Sequence, residues 1–352
     1  MPFLLAVPDK FRGSATAAEV AEAAAGAARR AGWSATALPL SDGGEGLLEA
    51  AGGERRCDLV TGPLGEPVDA EWRLRDDEGR GGPTAVVEMA RASGLELAGG
   101  AEANDPVAAT TRGTGELVAA ALRAGARRVV VGCGGSATTD GGAGALEALE
   151  EMDLLDGAGR LAGARLYVAT DVRTAFLDAA RVYGPQKGAG QEEVATLGAR
   201  LATLAESYRA RQGVDVTTVP GAGAAGGLAG GLAALGGEIV SGFDLVAELV
   251  GLDAALEGAD LVLTGEGRLD ATSLEGKVVS GVLRRLAGRA PALVVVGDSA
   301  DGLDAARLAS ATGSPEDRVE LVALLHRFGR DRSFSATCAL VAEVVAERLG
   351  RM

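Results

Sequence analysis

The sequence is poor in several residue types, and each scarcity removes a class of function. It has one histidine, His326, so a Ser-His-Asp triad would have to rest on that residue. His326 sits in LLHRFGR near an expected strand end, where a surface or packing role is the simpler reading. The three cysteines, Cys57, Cys133 and Cys338, are widely spaced and form no CxxC pair. That pattern gives neither a disulfide framework nor a zinc site, and it suits a reducing cytoplasm. No apolar run approaches the ~20 residues that span a bilayer. The first residues, MPFLLAVPDKF, lack the basic leader of a signal peptide. Positive charge is in deficit: the net charge of −15 argues against nucleic acid, whose phosphates need a basic face. The expectation is a cytoplasmic protein with no nucleic-acid and no membrane partner.

Two nucleotide signatures are also missing. The turn after the first apolar run is VPDKFRGS rather than GxGxxG, which counts against a nicotinamide-dependent oxidoreductase. The nearest approach to a P-loop, ATSLEGKV, lacks the first glycine and ends in valine. Lysine is scarce as well: of 34 lysines and arginines, only Lys10, Lys187 and Lys277 are lysine. Asn104 is the sole asparagine and Ile239 the sole isoleucine. Base composition accounts for the skew, but not for the placement of the three lysines and Asn104 in turn-like segments. Positions that keep lysine where arginine is the rule are candidates for a compact ammonium.

Glycine is abundant, and it is concentrated. Gly132–Gly144 reads GCGGSATTDGGAG after the apolar strand Val129-Val130-Val131. Glycine lets backbone N–H groups turn toward and approach phosphate oxygens. Related segments are SDGGEG (41–46), PGAGAAGGLAGG (220–231) and TGEGRLD (264–270). Together they point to an enzyme acting on an anionic, phosphorylated substrate.

The length suggests two domains. Phe3–Val7 reads as a strand, a helix follows from Thr16 with a Thr16–Glu19 capping box and a stop at Gly32, and Ala35–Leu40 reads as a second strand. This β-α-β opening starts a parallel sheet. From Cys57 to Arg80 the pattern is of hairpins, and strands are expected at 84–89, near Val129 and at 165–170. Further strands are expected at 260–264, 292–296 and 319–324, with helices between them and a closing helix at 335–349. The fold class is therefore α/β. Residues 1–50 with 245–352 form a Rossmann-like parallel-sheet domain, residues 51–244 an inserted smaller α/β (α+β) domain, and a ligand is expected in the cleft between them.

The chemical inventory is carboxylates, hydroxyls, lysines and backbone N–H groups, which suits phosphoryl transfer. Mg²⁺ needs only one or two carboxylates, and Glu266, Asp270, Asp140 and Asp42 are candidates; each also fits a helix cap or an Asx turn. Lys277 opens a helix and can meet a phosphate there, or be solvated. Lys10 and Arg12 can hold a substrate carboxylate. Asp171, at the end of YVATDV, fits a base that takes a hydroxyl proton and fits a helix cap equally well.

With these motifs in view, the chain resembles the bacterial glycerate kinases of type I. The resemblance runs in order through PDKFRGSATAAEVA, SDGGEG, VTGPLGEPVDA, VEMARASGLEL, NDPVAATTRGTGEL, GGSATTDGGAG, YGPQKGA, PGAGAAGGLAGGL and LVLTGEGRLDATSLEGK. It implies transfer of phosphate from ATP, with Mg²⁺, to D-glycerate, giving 2-phosphoglycerate. ATP phosphates are then expected on Gly134, Gly135 and Ser136, with Gly223 and Gly226 of the second glycine run and near Lys277. Mg²⁺ is expected on Glu266 or Asp270, the substrate on Lys10, Arg12 and Asp42, and the base role on Asp171. A homodimer is the expected assembly. The departures are Arg12 for a usual lysine, DVRTAFLD for a DVDNPL-like stretch, Glu275 for a histidine, a shortened link between Gly144 and Arg165, and divergence after Gly297. They leave open a 3-hydroxyl product, a related hydroxy acid as acceptor, or a non-catalytic sugar-acid or nucleotide binder.

Overall fold

The structure, a computed structural model, describes residues 1–77 and 81–352, so the centre of the charged turn after Arg75 lies outside the described residues. In chain order the strands are β1 (Phe3–Ala6), β2 (Ser34–Ala37), β3 (Glu54–Thr61), β4 (Pro67–Arg75), β5 (Thr84–Glu88) and β6 (Arg128–Gly132). They continue with β7 (Arg165–Ala169), β8 (Glu238–Val240), β9 (Leu261–Leu269), β10 (Ala292–Ser299) and β11 (Val319–Ala323). The chain divides into two compact units, Met1–Asp42 with Phe243–Met352, and Gly43–Gly242.

The first unit is built on a parallel sheet of order β11-β10-β9-β1-β2. The inner strands β1, β9 and β10 are largely apolar and buried, as a sheet covered on both sides requires, and the edge strands β2 and β11 are mostly half-buried. The helix Ala17–Arg30 forms where expected: Thr16 Oγ1 accepts from the Glu19 N–H, and Glu19 Oε2 accepts from the Thr16 N–H. Its alanine-rich face lies against the closing helix Thr337–Gly350, and both cover the sheet through Val20, Ala24, Leu340 and Val344. The strand order corresponds to 2-1-3-4-5, the flavodoxin-like form of the doubly wound sheet rather than the six-stranded dinucleotide form.

The second unit has a six-stranded sheet of order β3-β4-β5-β6-β7-β8. β3 and β4 form the expected antiparallel hairpin, and β5 to β8 are parallel. The expectation of a smaller insert is corrected, because this unit is the longer stretch of chain and carries the larger sheet. Parallel strands need crossover segments of a dozen or more residues, which a hairpin does not. The short helix Leu47–Ala51 belongs to this unit, tied by a 3.0 Å bond from the Leu48 N–H to buried Glu88. No helix among the described residues is long and apolar enough to cross a membrane.

Candidate functional site

In the first unit the direction of strand progression reverses between β1 and β9, and in open α/β sheets ligands sit beyond the carboxyl ends of the strands at that point. The turn after β1 is laced to β9 there: the Val7 N–H donates to Leu263 O, the Asp9 N–H to Gly265 O, and the Gly267 N–H to Lys10 O. Glycine is required at both β9 positions. A Cβ on Gly265 would lie 1.8 Å from the Val295 carbonyl oxygen, and one on Gly267 would lie 2.9 Å from the Arg12 nitrogen. This close weave brings Asp9, Lys10, Arg12 and Glu266 to one end of the sheet, where with Asp42 and Lys277 they line a pocket of about 450 Å³.

The charges in this pocket are tightly interleaved. Lys10 Nζ lies 3.9 Å from Asp9 and 4.0 Å from Asp42. Burial pushes the Asp9 carboxyl up to about 7, against the lowering pull of Lys10 and with a further push from Asp42. Burial also lifts Glu266 to about 8, opposed by a hydrogen bond from Ser273 and raised further by Asp9. Glu266 Oε1 is buried and has no hydrogen-bond partner among the described residues. A buried carboxyl with an orphaned oxygen is the kind of donor a hard divalent cation takes. No cluster of three or more His, Cys, Asp or Glu residues fit for a metal occurs among the described residues.

The second unit positions the glycine-rich turn after β6. Gly135 has φ +67°, and a Cβ on Gly134 would lie 2.9 Å from the Gly44 Cα. The turn is fixed from behind. Lys187 Nζ donates to Thr138 O at 2.6 Å, and Asn104 Nδ2 donates to Ala137 O and Lys187 O at 3.1 and 2.8 Å. Burial drives the Lys187 amine down to about 7, although Asp140 favours its charged form. Asp140 is committed to the backbone: it accepts from Thr111 N–H and Oγ1, Gly142 N–H and Gly144 N–H. It thereby anchors two helix starts.

Comparison with known proteins joins this geometry to a family. The model of the glycerate kinase family matches residues 4–160 and 145–315. The chain belongs to the glycerate kinase family. Glycerate 2-kinase of Escherichia coli (strain K12) is 40% identical over 312 residues, covering 79% of this chain and 80% of that protein. Glycerate kinase of Bacillus subtilis (strain 168) is 40% identical over 314 residues, covering 80% and 81%. The crystal structure of putative glycerate kinase 2 from Salmonella typhimurium LT2 superposes with TM-score 0.78 at 33% identity, over 99% of this chain and 98% of that one. This glycerate kinase family member is accordingly a kinase, a transferase of mixed α/β fold.

Within this kinase, Lys10, Arg12, Asp42, Glu266 and Lys277 come together in the first unit, as a common site demands. Asp270 does not line the pocket. Its Oδ1 accepts from the Thr272 and Ser273 N–H groups and Thr272 Oγ1, which makes it a cap. Asp171 does not line the pocket; its Oδ1 accepts from the Gly242 N–H at the start of the helix Gly242–Val250, which is the capping contact. Gly223 and Gly226 are buried, and their missing side chains make room for protein backbone: a Cβ would sit 2.4 Å from Ala175 O and 1.9 Å from Thr138 O. Gly226 thus packs against the first glycine turn, and Gly223 against the chain at Thr174 and Ala175. Asp9 was missed, although it stands beside Lys10 in the PDK turn directly after β1; Arg268, Asp298, Arg330 and Phe334 also line the pocket.

Proposed function

We propose that the chain transfers the γ-phosphoryl group of ATP to the 2-hydroxyl of D-glycerate, giving 2-phosphoglycerate and ADP. The observation that carries this reading is the convergence of two buried carboxyl groups with Lys10, Arg12 and Lys277 at the switch point of the first sheet. Phosphoryl transfer asks the protein for positioning and charge neutralisation more than for covalent chemistry. Lys10 and Arg12 hold the glycerate carboxylate. Lys277, at the start of the helix Val278–Leu286, neutralises phosphate together with the helix N-terminus. Asp9, with a carboxyl held near neutrality by burial, accepts the proton of the attacking hydroxyl. Mg²⁺ would be held by Glu266 and would supply charge neutralisation for the phosphate oxygens. A cytoplasmic setting is in keeping with three free cysteines.

The test is Lys277→Met assayed by ADP release. We expect kcat to fall roughly a hundred-fold or more, as for loss of a charge-stabilising donor, with an unchanged melting temperature. Unchanged kinetics would remove Lys277 from the site.

A further inference from the structure

The pocket is larger and more divided than a three-carbon acid needs. At about 450 Å³ it falls within the range that encloses drug-sized ligands. Its lining includes the charged groups of the β1 and β9 turns and, from the segment after β11, Leu325, Arg330, Ser333 and Phe334. Phe334 is 51% exposed, although it is a large apolar residue lining a charged pocket. The Arg330 guanidinium lies 5.4 Å from its ring centroid. The helix Arg330–Ser335 that carries both is tied at its start, where Ser333 Oγ donates to Gly329 O at 2.7 Å. A second bond, from Thr337 Oγ1 to Ser333 O at 2.6 Å, joins it to the closing helix. The ring is thus presented on ordered backbone.

A flat ring backed by a guanidinium offers a π surface on which a heteroaromatic base stacks without hydrogen-bond readout. One pocket lined by an aromatic ring as well as by Lys10, Arg12 and Lys277 suits a molecule that carries both a base and phosphates. We propose that Phe334 and Arg330 form the stacking platform for the base of the nucleotide donor, with its phosphates directed toward Lys277. This inference rests on the kinase reading of the same pocket and adds where the base is held. It gives a role to the segment that departs most from the family pattern, and it leaves the acceptor's contacts at Lys10 and Arg12 untouched.

The experiment uses Phe334→Trp and Phe334→Ala in the full chain. The tryptophan variant is titrated with ADP, with inorganic tripolyphosphate and with a six-carbon aldonic acid, its fluorescence read against the wild-type background of Trp33 and Trp72. The proposal expects saturable quenching by ADP alone. It also expects Phe334→Ala to raise the KM for ATP roughly ten-fold while the KM for D-glycerate stays constant. Quenching by tripolyphosphate to the same degree, quenching by the aldonic acid instead of ADP, or no quenching at all overturns the platform. Should the wild type release no ADP with D-glycerate, the kinase reading falls, and the ADP titration still decides the platform.

Discussion

Replacing Glu266 with glutamine tests the electrostatics of the site through stability as well as activity. Glu266 is 8% exposed, its Oε1 lacks a partner among the described residues, and burial lifts its carboxyl from 4.5 to about 8. Below about 4.5 the carboxyl is protonated in both folded and unfolded chains and contributes no pH dependence. Between about 4.5 and 8 the folded state holds a proton that the unfolded state has lost, so folding stability falls as pH rises. Above about 8 the cost of a buried carboxylate is fully present. At ~1.4 kcal/mol per pH unit, the displacement corresponds to roughly 5 kcal/mol at most, and relaxation will reduce it to a few. Glutamine has nearly the same shape and no charge. The expected outcome is a Glu266→Gln protein with a higher melting temperature than wild type at pH 8.5 without metal, and a near-equal one at pH 4.5. Calorimetry is the assay, because two units need not melt in one transition. Mg²⁺ should then raise the wild-type melting temperature at pH 8.5, leave the variant's unmoved, and restore no activity to it. Parallel pH slopes in the two proteins would refute the reasoning.

Two further outcomes follow from the same principles. Lys187→Met should remove a stability cost that in the wild type is present below about 7 and disappears as pH rises toward 10.5, since the folded amine is depressed to about 7 by burial. Denaturation at pH 6.5 and 10 should show the variant gaining most at the lower pH, and an equal gain at both would contradict the assignment. Asp270→Ala should cost about 1 kcal/mol as a lost cap without altering the Mg²⁺ concentration needed for half-maximal rate. A large increase in that concentration would return Asp270 to the metal.

The inner strands β1, β5, β6, β7, β9 and β10 were legible as short apolar runs, β8 (Glu238–Val240) was not among the expected strands, and the capping box at Thr16 marked the first helix to the residue. The parallel character of β5 to β8 was harder to read. The antiparallel hairpin β3–β4 opens that unit with alternating charged residues and sets the expectation of an α+β insert. The rarity of lysine was an informative signal. Lys10 and Lys277 line the pocket, while Lys187 and the sole asparagine converge on the carbonyls behind the glycine turn. Glycine counts misled where the close approach is of chain to chain, as at Gly226 against Thr138. Carboxylates at turn ends carry a second duty: Asp140, Asp171 and Asp270 satisfy orphan N–H groups at helix starts, and spacing does not separate that duty from metal binding or proton transfer. Asp9 was legible only through its partners, since its burial depends on β9, more than 250 residues away in sequence.

The central claim is a D-glycerate-dependent transfer from ATP. The most direct measurement is ADP release by the wild-type chain with ATP and Mg²⁺, with and without D-glycerate, the product being identified by phosphorus NMR. The account predicts release that requires D-glycerate, accompanied by a single phosphate ester at the 2-hydroxyl. Ester at the 3-hydroxyl would keep the kinase and overturn its regiochemistry. Release no greater with D-glycerate than without it would contradict the account.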